Sequence, residues 1–285
     1  MRRKFNAYDF INTSLLIFVG IFALLPVWNI FVISITDGPT YLANRTHFWP
    51  RVINFDEYLR VLRSGDLLKG LGNTAIITSI GTVLALFVTT SASYALSRQR
   101  LRGRKIITSF ILFTMFFSAG MIPFYLTVTG LGLKNTYWAI ILPMSVSAYF
   151  MIIMRTYLGN ISVALEESAK IDGASDFNIF FQIFVPVSKP MLAAIGLFYF
   201  VNYYNDFMNA LLFITKRSMY PLQYLLREVV INNISSHAGV GGSTTATADI
   251  FRMASVMISL VPILAIYPFL QKYFIQGLML GSIKE

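Results

Sequence analysis

Leu165-Glu166-Glu167-Ser168-Ala169-Lys170-Ile171-Asp172-Gly173-Ala174 places four charged side chains between two long apolar stretches. A charge at the centre of a bilayer costs roughly 2.5–3.5 kcal/mol or more, so this segment lies in water between two spans. Ala164 to Asp172 is rich in strong helix formers, with glutamates in the early turns where the helix dipole favours them. Gly173 is the expected left-handed stop. Ser175 is placed to cap a second helix, with Asp176 in its first turn. That helix is apolar (Phe177, Ile179, Phe180, Phe181, Ile183, Phe184) and stops near Pro186, and Pro190 opens the next apolar stretch. The pattern predicts two short helices joined at Gly173 and lying just outside the membrane. A solvated connector is the plain alternative. A sharp glycine turn, a small Ser-Ala face and a paired proline stop favour a docking surface.

The rest of the chain agrees with a membrane setting. Of 285 residues, 56% are hydrophobic and only 13% charged, against about 25% charged in soluble domains. Mean hydropathy is +0.64. The net charge of +10 would suggest nucleic acid in a soluble protein. Here the basic residues sit in short loops and set topology, and no nucleic-acid partner is expected. There is no cysteine, which excludes disulfides, thiolate chemistry and cysteine-held metal. His47 and His237 lie far apart, so no metal site is expected. No Gly-x-x-x-x-Gly-Lys-Ser/Thr loop occurs, so any ATP is bound by another chain. No His-Glu-x-x-His or Ser-His-Asp arrangement argues for an enzyme.

Six apolar stretches, about 13–35, 71–96, 106–127, 138–156, 190–214 and 251–271, meet the ~20 residues needed to cross a bilayer. The apolar run behind Arg2, Arg3 and Lys4 is too long for a signal peptide and reads as a retained first helix. Those residues and Arg98, Arg100, Arg102, Arg104 and Lys105 place the N-terminus and the loop after the second span on the cytoplasmic side. The segment 157–189 and the C-terminus then also fall inside, and 37–70 and 215–250 outside. In the outer segment, Arg45, Arg51, Arg60, Arg63 and Lys69 are nearly balanced by Asp37, Asp56, Glu57 and Asp66. The glycine-rich stretch from Ser235 to Thr247 reads equally as a connector or a partner-binding loop.

At the charged segment the chain resembles the permease subunits of ABC importers, through their cytoplasmic Glu-Ala-Ala loop. Glu167-Ser168-Ala169, Gly173 and Ile183-Phe184-Val185-Pro186 fill its elements, and Asp172 and Ala174 match its extended form. Tyr94-Ala95-Leu96-Ser97-Arg98, Ile122-Pro123-Phe124-Tyr125 and Gly130-Leu131-Gly132-Leu133-Lys134-Asn135-Thr136 are similar to the carbohydrate branch. The tail from Gln271 to Lys284 resembles the shorter, maltose-permease-like subunit. Two departures are Ile161-Ser162, where Ile-Pro is common, and the final Glu285, where glycine is usual.

The resemblance implies an all-α membrane protein with six transmembrane helices and a type I permease fold. It divides into an N-terminal helix and outer segment (1–70), a five-helix core with the loop at 157–189 (71–271) and a cytoplasmic tail (272–285). It also implies a multi-pass cell-membrane protein that imports a carbohydrate, most simply an oligosaccharide, and is not itself an enzyme. Implied partners are a second, related permease in a heterodimer, two ATPase subunits that bind the ATP and Mg, and an extracellular solute-binding protein. No cofactor is expected in this chain. The residues implied to couple to the ATPase are Glu167, Ser168, Ala169, Asp172, Gly173, Ala174 and Pro186. Gly239, Gly241 and Gly242 would reach the binding protein. The alternatives are a permease for a peptide, amino acid or anion, and a membrane scaffold or sensor that uses the loop only for docking.

A second candidate site comes from the residues alone. Tyr199, Asn202, Tyr203, Asp206 and Asn209 recur at helical spacing, which predicts one polar, aromatic face on the fifth span. Asp206 falls roughly 24 Å along that helix from Pro190. Rings that stack on a pyranose, with Asn and Asp to take hydroxyls, suit a sugar path. Hydrogen bonding to neighbouring helices accounts for the same residues. Arg252 is placed either to pair with Asp206 or to face solvent.

Overall fold

The computed structural model describes residues 7–43, 48–117, 119–231 and 245–282, with side chains described for 10–43, 48–117, 119–231 and 246–265. Gly239, Gly241, Gly242, His47, His237, Arg2, Arg3, Lys4 and Arg45 lie outside the described residues, as do the side chains of the tail after residue 265. In chain order the helices are α1 (Ala7–Ser34), α2 (Gly38–Ala43), α3 (Asp56–Ser64), α4 (Asp66–Ser97), α5 (Arg104–Phe116), α6 (Met121–Gly130), α7 (Trp138–Met144), α8 (Ala148–Gly159) and α9 (Val163–Ile171). Then come α10 (Asp176–Ile179), a π-helical stretch Phe180–Phe184, α11 (Val185–Val187), α12 (Lys189–Asn205), α13 (Met208–Phe213), α14 (Leu222–Ile231) and α15 (Thr245–Ser282).

Three helices are long and apolar enough to cross a membrane unbroken: Phe10–Ser34 within α1, α4, and Ala246–Ala265 within α15. The other three expected spans are broken pairs, so the count reaches six only if each pair is one span. The expected continuous helices at 106–127 and 138–156 are therefore corrected; 190–214 is interrupted after Asn205, and the 80° bend lies ahead of it at Ser188. Between α5 and α6, Phe117 is extended and Gly120 has φ +83°. Between α7 and α8, Pro143 precedes an extended Ser147, whose hydroxyl accepts from the Phe150 amide, and the axes bend by 47°. Around Ser188 the chain turns by 80° into α12, with Pro190 in its first turn.

The chain divides into two compact units, residues 1–68 with 225–261, and residues 69–224 with 262–285. In the first unit the end of α1 packs into the outer segment. The Trp28 indole donates to the Phe48 carbonyl (2.8 Å), the Asn54 amide to Ile35 (2.7 Å), and Ser34 bonds the Tyr58 hydroxyl (2.7 Å). The Phe10–Leu25 face of α1 is exposed, as a lipid-facing surface would be.

In the second unit the core is built where α4 meets α8 and α12. A ladder of small hydroxyls on α4 makes the interhelical bonds. Thr74 accepts from the Leu222 amide (2.8 Å), Thr89 bonds the Tyr199 hydroxyl (2.7 Å), and Ser93 donates to the Met151 carbonyl (2.9 Å). Asn135, at φ +60°, takes the Thr215 and Lys216 amides on its side-chain oxygen (2.7 and 3.3 Å), which pins the turn before α7 to the strand of chain after α13. Met151 and Met154 are buried packing residues, whereas Met115 and Met121 are exposed.

α4 packs tightly on α12 at Gly81. A Cβ there would lie 2.6 Å from the Tyr203 ring, itself buried and held by a 2.8 Å bond to the Ile141 carbonyl. Gly81→Ala is expected to destabilise the protein by about 1–3 kcal/mol, the usual cost of overpacking. Gly72→Ala, on the same helix with nothing within 4 Å, should be neutral or stabilising. Thermal unfolding of the two variants in detergent checks this; equal melting temperatures would show that the α4–α12 contact is loose.

Candidate functional site: the loop helix and the end of the fifth span

α9 ends as its sequence dictates. Asp172 leads into Gly173 at φ +80°, the Gly173 amide bonds the Lys170 carbonyl (3.0 Å) and the Ala174 amide the Ala169 carbonyl (2.9 Å). This double bond closes the helix C-terminus and needs a left-handed residue. Ser175 caps α10 by accepting from the Asn178 amide (3.3 Å), with Asp176 in the first turn.

The helix has two different faces. Glu167, Ser168, Asp172 and Gly173 are exposed, as is Pro186. Ala169 and Ala174 pack inward against the chain's own core. Glu166, which the sequence reading passed over, is buried at 6% exposure. Its carboxylate takes the Arg98 guanidinium at 2.6 Å and the Lys170 ammonium at 2.8 Å. Arg98 is also buried; it donates to the Leu158 carbonyl (2.9 Å) and to Ser97 (2.9 Å), and its guanidinium lies 4.5 Å from the Phe184 ring centre and 5.2 Å from that of Tyr94. Arg100 reaches Asp176 (2.5 Å) from an exposed position. The Glu166–Lys170 spacing was visible as an i,i+4 pair. Nothing in one sequence singles out Arg98 from the four other basic residues that follow α4.

The five residues of the expected polar face do not share one. α12 stops at Asn205, and Asp206 is extended. Its carboxylate accepts from the Asn209 amide (3.4 Å) and side chain (3.1 Å) at the start of α13. Such local bonding competes with helix continuation. Tyr199 and Tyr203 are buried, with their hydroxyls committed to Thr89 and Ile141, and Asn202 is exposed. The second Asp206 oxygen, Oδ2, is buried without a hydrogen-bond partner among the described residues. Asn209 lines an apolar cavity of about 580 Å³ with Gly120, Phe124 and Met208, beside the α5–α6 break. Arg252 pairs with Asp249 on its own helix at 2.8 Å, so it is not left facing solvent alone.

Burial alone would push the Glu166 carboxyl up, but the bonds and charges of Lys170 and Arg98 hold it below the ordinary value of 4.5. A carboxylate lowered on folding stabilises the fold above its unfolded value, and that stabilisation is lost as pH falls through the folded one. The melting-temperature difference between wild type and Glu166→Gln is expected to be flat near neutrality and to shrink only below pH 4.5. Melting curves across pH read this directly; a difference that already shrinks near neutrality would contradict it.

Comparison with known proteins agrees along the whole chain. Residues 81–280 match the family described as binding-protein-dependent transport system inner membrane component. Protein LplC of Bacillus subtilis (strain 168) is 39% identical over 98% of this chain and 95% of its own. The polygalacturonan/rhamnogalacturonan transport system permease protein YtcP of the same organism is 35% identical over 99% of both. A crystal structure of a bacterial ABC transporter involved in import of the acidic polysaccharide alginate superimposes with TM-score 0.86 at 32% identity, covering 96% of this chain and 99% of that one. With apolar spans, a charged loop helix and a match over most of its length, the chain is a multi-pass membrane protein that belongs to the family of binding-protein-dependent transport system inner membrane components.

Proposed function

We propose that the chain is the shorter permease of an ATP-driven importer that carries an oligosaccharide delivered by a solute-binding protein. ATP hydrolysis belongs to a separate ATPase chain, as in transporters of this family. The single observation that carries the coupling part is the outward face of α9, with Glu167, Ser168 and Asp172 exposed ahead of the Gly173 turn. Glu167 offers an acceptor to a basic or hydroxyl group of the ATPase, and Asp172 and Gly173 present a flat turn. Docked there, the closing of two ATPase subunits around ATP would move α9 and the helices on either side of it, a rigid-body route to alternating access. The saccharide part is supported by relatives similar over almost the full chain, a polygalacturonan/rhamnogalacturonan permease and an alginate importer.

The finer assignments belong to the same proposal. Both termini and α9 face the cytoplasm, in keeping with the basic residues at 98–105. The second permease is a related chain, giving a heterodimer with two ATPase subunits. Asn202 is exposed and Asn209 lines the cavity, so these would meet sugar at the outer half of the broken fifth span, with Asp206 bonded to Asn209. Tyr199 and Tyr203 contribute only by positioning α12. The segment containing Gly239, Gly241 and Gly242 would meet the binding protein, and deleting Gly239–Thr245 should then abolish uptake that depends on it.

Two measurements test the proposal. Co-purification in mild detergent should retain an ATPase and a second permease; isolation of the chain alone from a well-behaved preparation would remove the importer reading. In the reconstituted importer, Gly173→Arg should leave ATP hydrolysis running while sugar uptake falls by about tenfold or more, a normal coupling magnitude. No Cβ clash exists within this chain at Gly173, so the effect would report the docking surface together with the strained left-handed backbone. Gly173→Ala separates the two, since it carries the backbone strain without the bulk.

A further inference from the structure

Nothing in the docking of α9 explains why an arginine and a glutamate are buried behind it. A buried ion pair is weak evidence for stability, because desolvation consumes most of the attraction. Its placement is the informative part. The Arg98 guanidinium touches the end of α4 through Ser97, the last turn of α8 through Leu158, α9 through Glu166, and the π-helical stretch ahead of α12 through Phe184. Those four elements belong to the second, fourth and fifth spans and the loop helix between the latter two.

α8 and α12 are joined to α9 by backbone, through Asn160–Ser162 on one side and the Gly173 turn on the other. α4 is not: Arg98 and Glu166 are 68 residues apart in the chain. Other polar ties near this end of α4 are the Ser93 bond to the Met151 carbonyl (2.9 Å) and an Arg155 bond to the Leu96 carbonyl (3.2 Å), which join α8 rather than α9, and the contacts of the exposed Arg100. An exposed pair is weak and screened. The guanidinium, by contrast, has a fixed fork geometry and five donors, so it can hold a carboxylate and a carbonyl at once. The Tyr94 and Phe184 rings, 5.0 Å apart, both pack against the guanidinium and favour its place there.

We propose that Arg98 and Glu166 form a strut that carries displacement of the loop helix to the second span, making them a positioning pair of the transport cycle. The proposal rests on the reading of α9 as the ATPase-docking helix. On a push against its exposed face, α9 would drag α4 with it because the buried pair is short. Without the pair, α9 would still move α8 and α12 through the backbone, and α4 would follow only through its bonds to those helices, with no buried tie to α9 itself. The importer would then hydrolyse ATP without completing the swing.

The test uses the complete importer, both permeases with ATPase and binding protein, in proteoliposomes. Glu166→Gln keeps the shape and loses the charge. Arg98→Lys keeps the charge and loses the fork. Both are expected to retain ATP hydrolysis while sugar taken up per ATP falls by about tenfold, within the span of ordinary coupling energies. A merely structural role would lower the yield of complex and leave that ratio unchanged. The natural chain has no cysteine, so Gln99→Cys and Val163→Cys, both at exposed positions, allow two spin labels to be placed on otherwise unaltered protein. Their separation should stay constant between the nucleotide-free and ATP-trapped states, and change between them in Glu166→Gln. A separation that already changes with the native pair intact overturns the strut, even if neither variant assembles. An unchanged uptake per ATP in both assembled variants overturns it as well. Gly173→Arg in the same preparation distinguishes the causes: if it uncouples and Glu166→Gln does not, the strut alone is wrong; if neither uncouples, the docking reading falls with it.

Discussion

Inside hydrocarbon no water is available to satisfy a backbone amide or a charge, and every feature of this chain follows from where it meets that restriction. The long apolar helices satisfy their amides internally. The charged decapeptide at 165–174 must leave the membrane, and its helix is closed at the C-terminus by the Gly173 and Ala174 amides, with Ser175 capping the helix that follows. The broken spans obey the same restriction. Irregular backbone is satisfied by nearby polar groups: Ser147 caps α8 at the α7–α8 break, Asp206 accepts from the Asn209 amide after α12, and Asn135, between α6 and α7, takes two amides of the segment after α13. Irregular backbone of this kind is tolerated only where protein or a water-filled cavity surrounds it; the α5–α6 break borders an apolar cavity of about 580 Å³.

The polar groups on the spans divide by whether the protein itself already uses them. The hydroxyls of α4 and the two buried tyrosines of α12 are consumed in helix–helix bonds. Asp206 and Asn209 are only partly consumed, and they sit where the fifth span breaks. In a transporter, a discontinuous helix with spare polar groups is a more natural place for substrate than a continuous polar stripe.

The two arginines after α4 show how one stretch of sequence serves two purposes. Arg100 is 46% exposed and its ion pairs lie at the surface, where such pairs contribute little. Arg98, two residues away, is buried at 8% and holds three elements besides its own. Arg100 also comes within 3.5 Å of Glu166, but from the exposed side. Arg98 is the one of the two that ties the loop helix to the second span from within.

Apolar run length, the uncompensated charges at 165–174, the loop-helix residue types and the Gly173 stop are properties of composition and local backbone preference, and they determined the membrane class, the number of apolar stretches, the loop helix and its boundary. Periodicity overreached on the fifth span, because an Asp at a span's end can bond the next amide locally and stop the helix, and a residue count cannot show this. Which glutamate of Glu166-Glu167 turns inward, which arginine meets it, and which tyrosines are already bonded depend on partners 60 to 110 residues away. These were decided only by tertiary packing, since burial and the choice of hydrogen-bond partner arise where helices meet and not along any one of them.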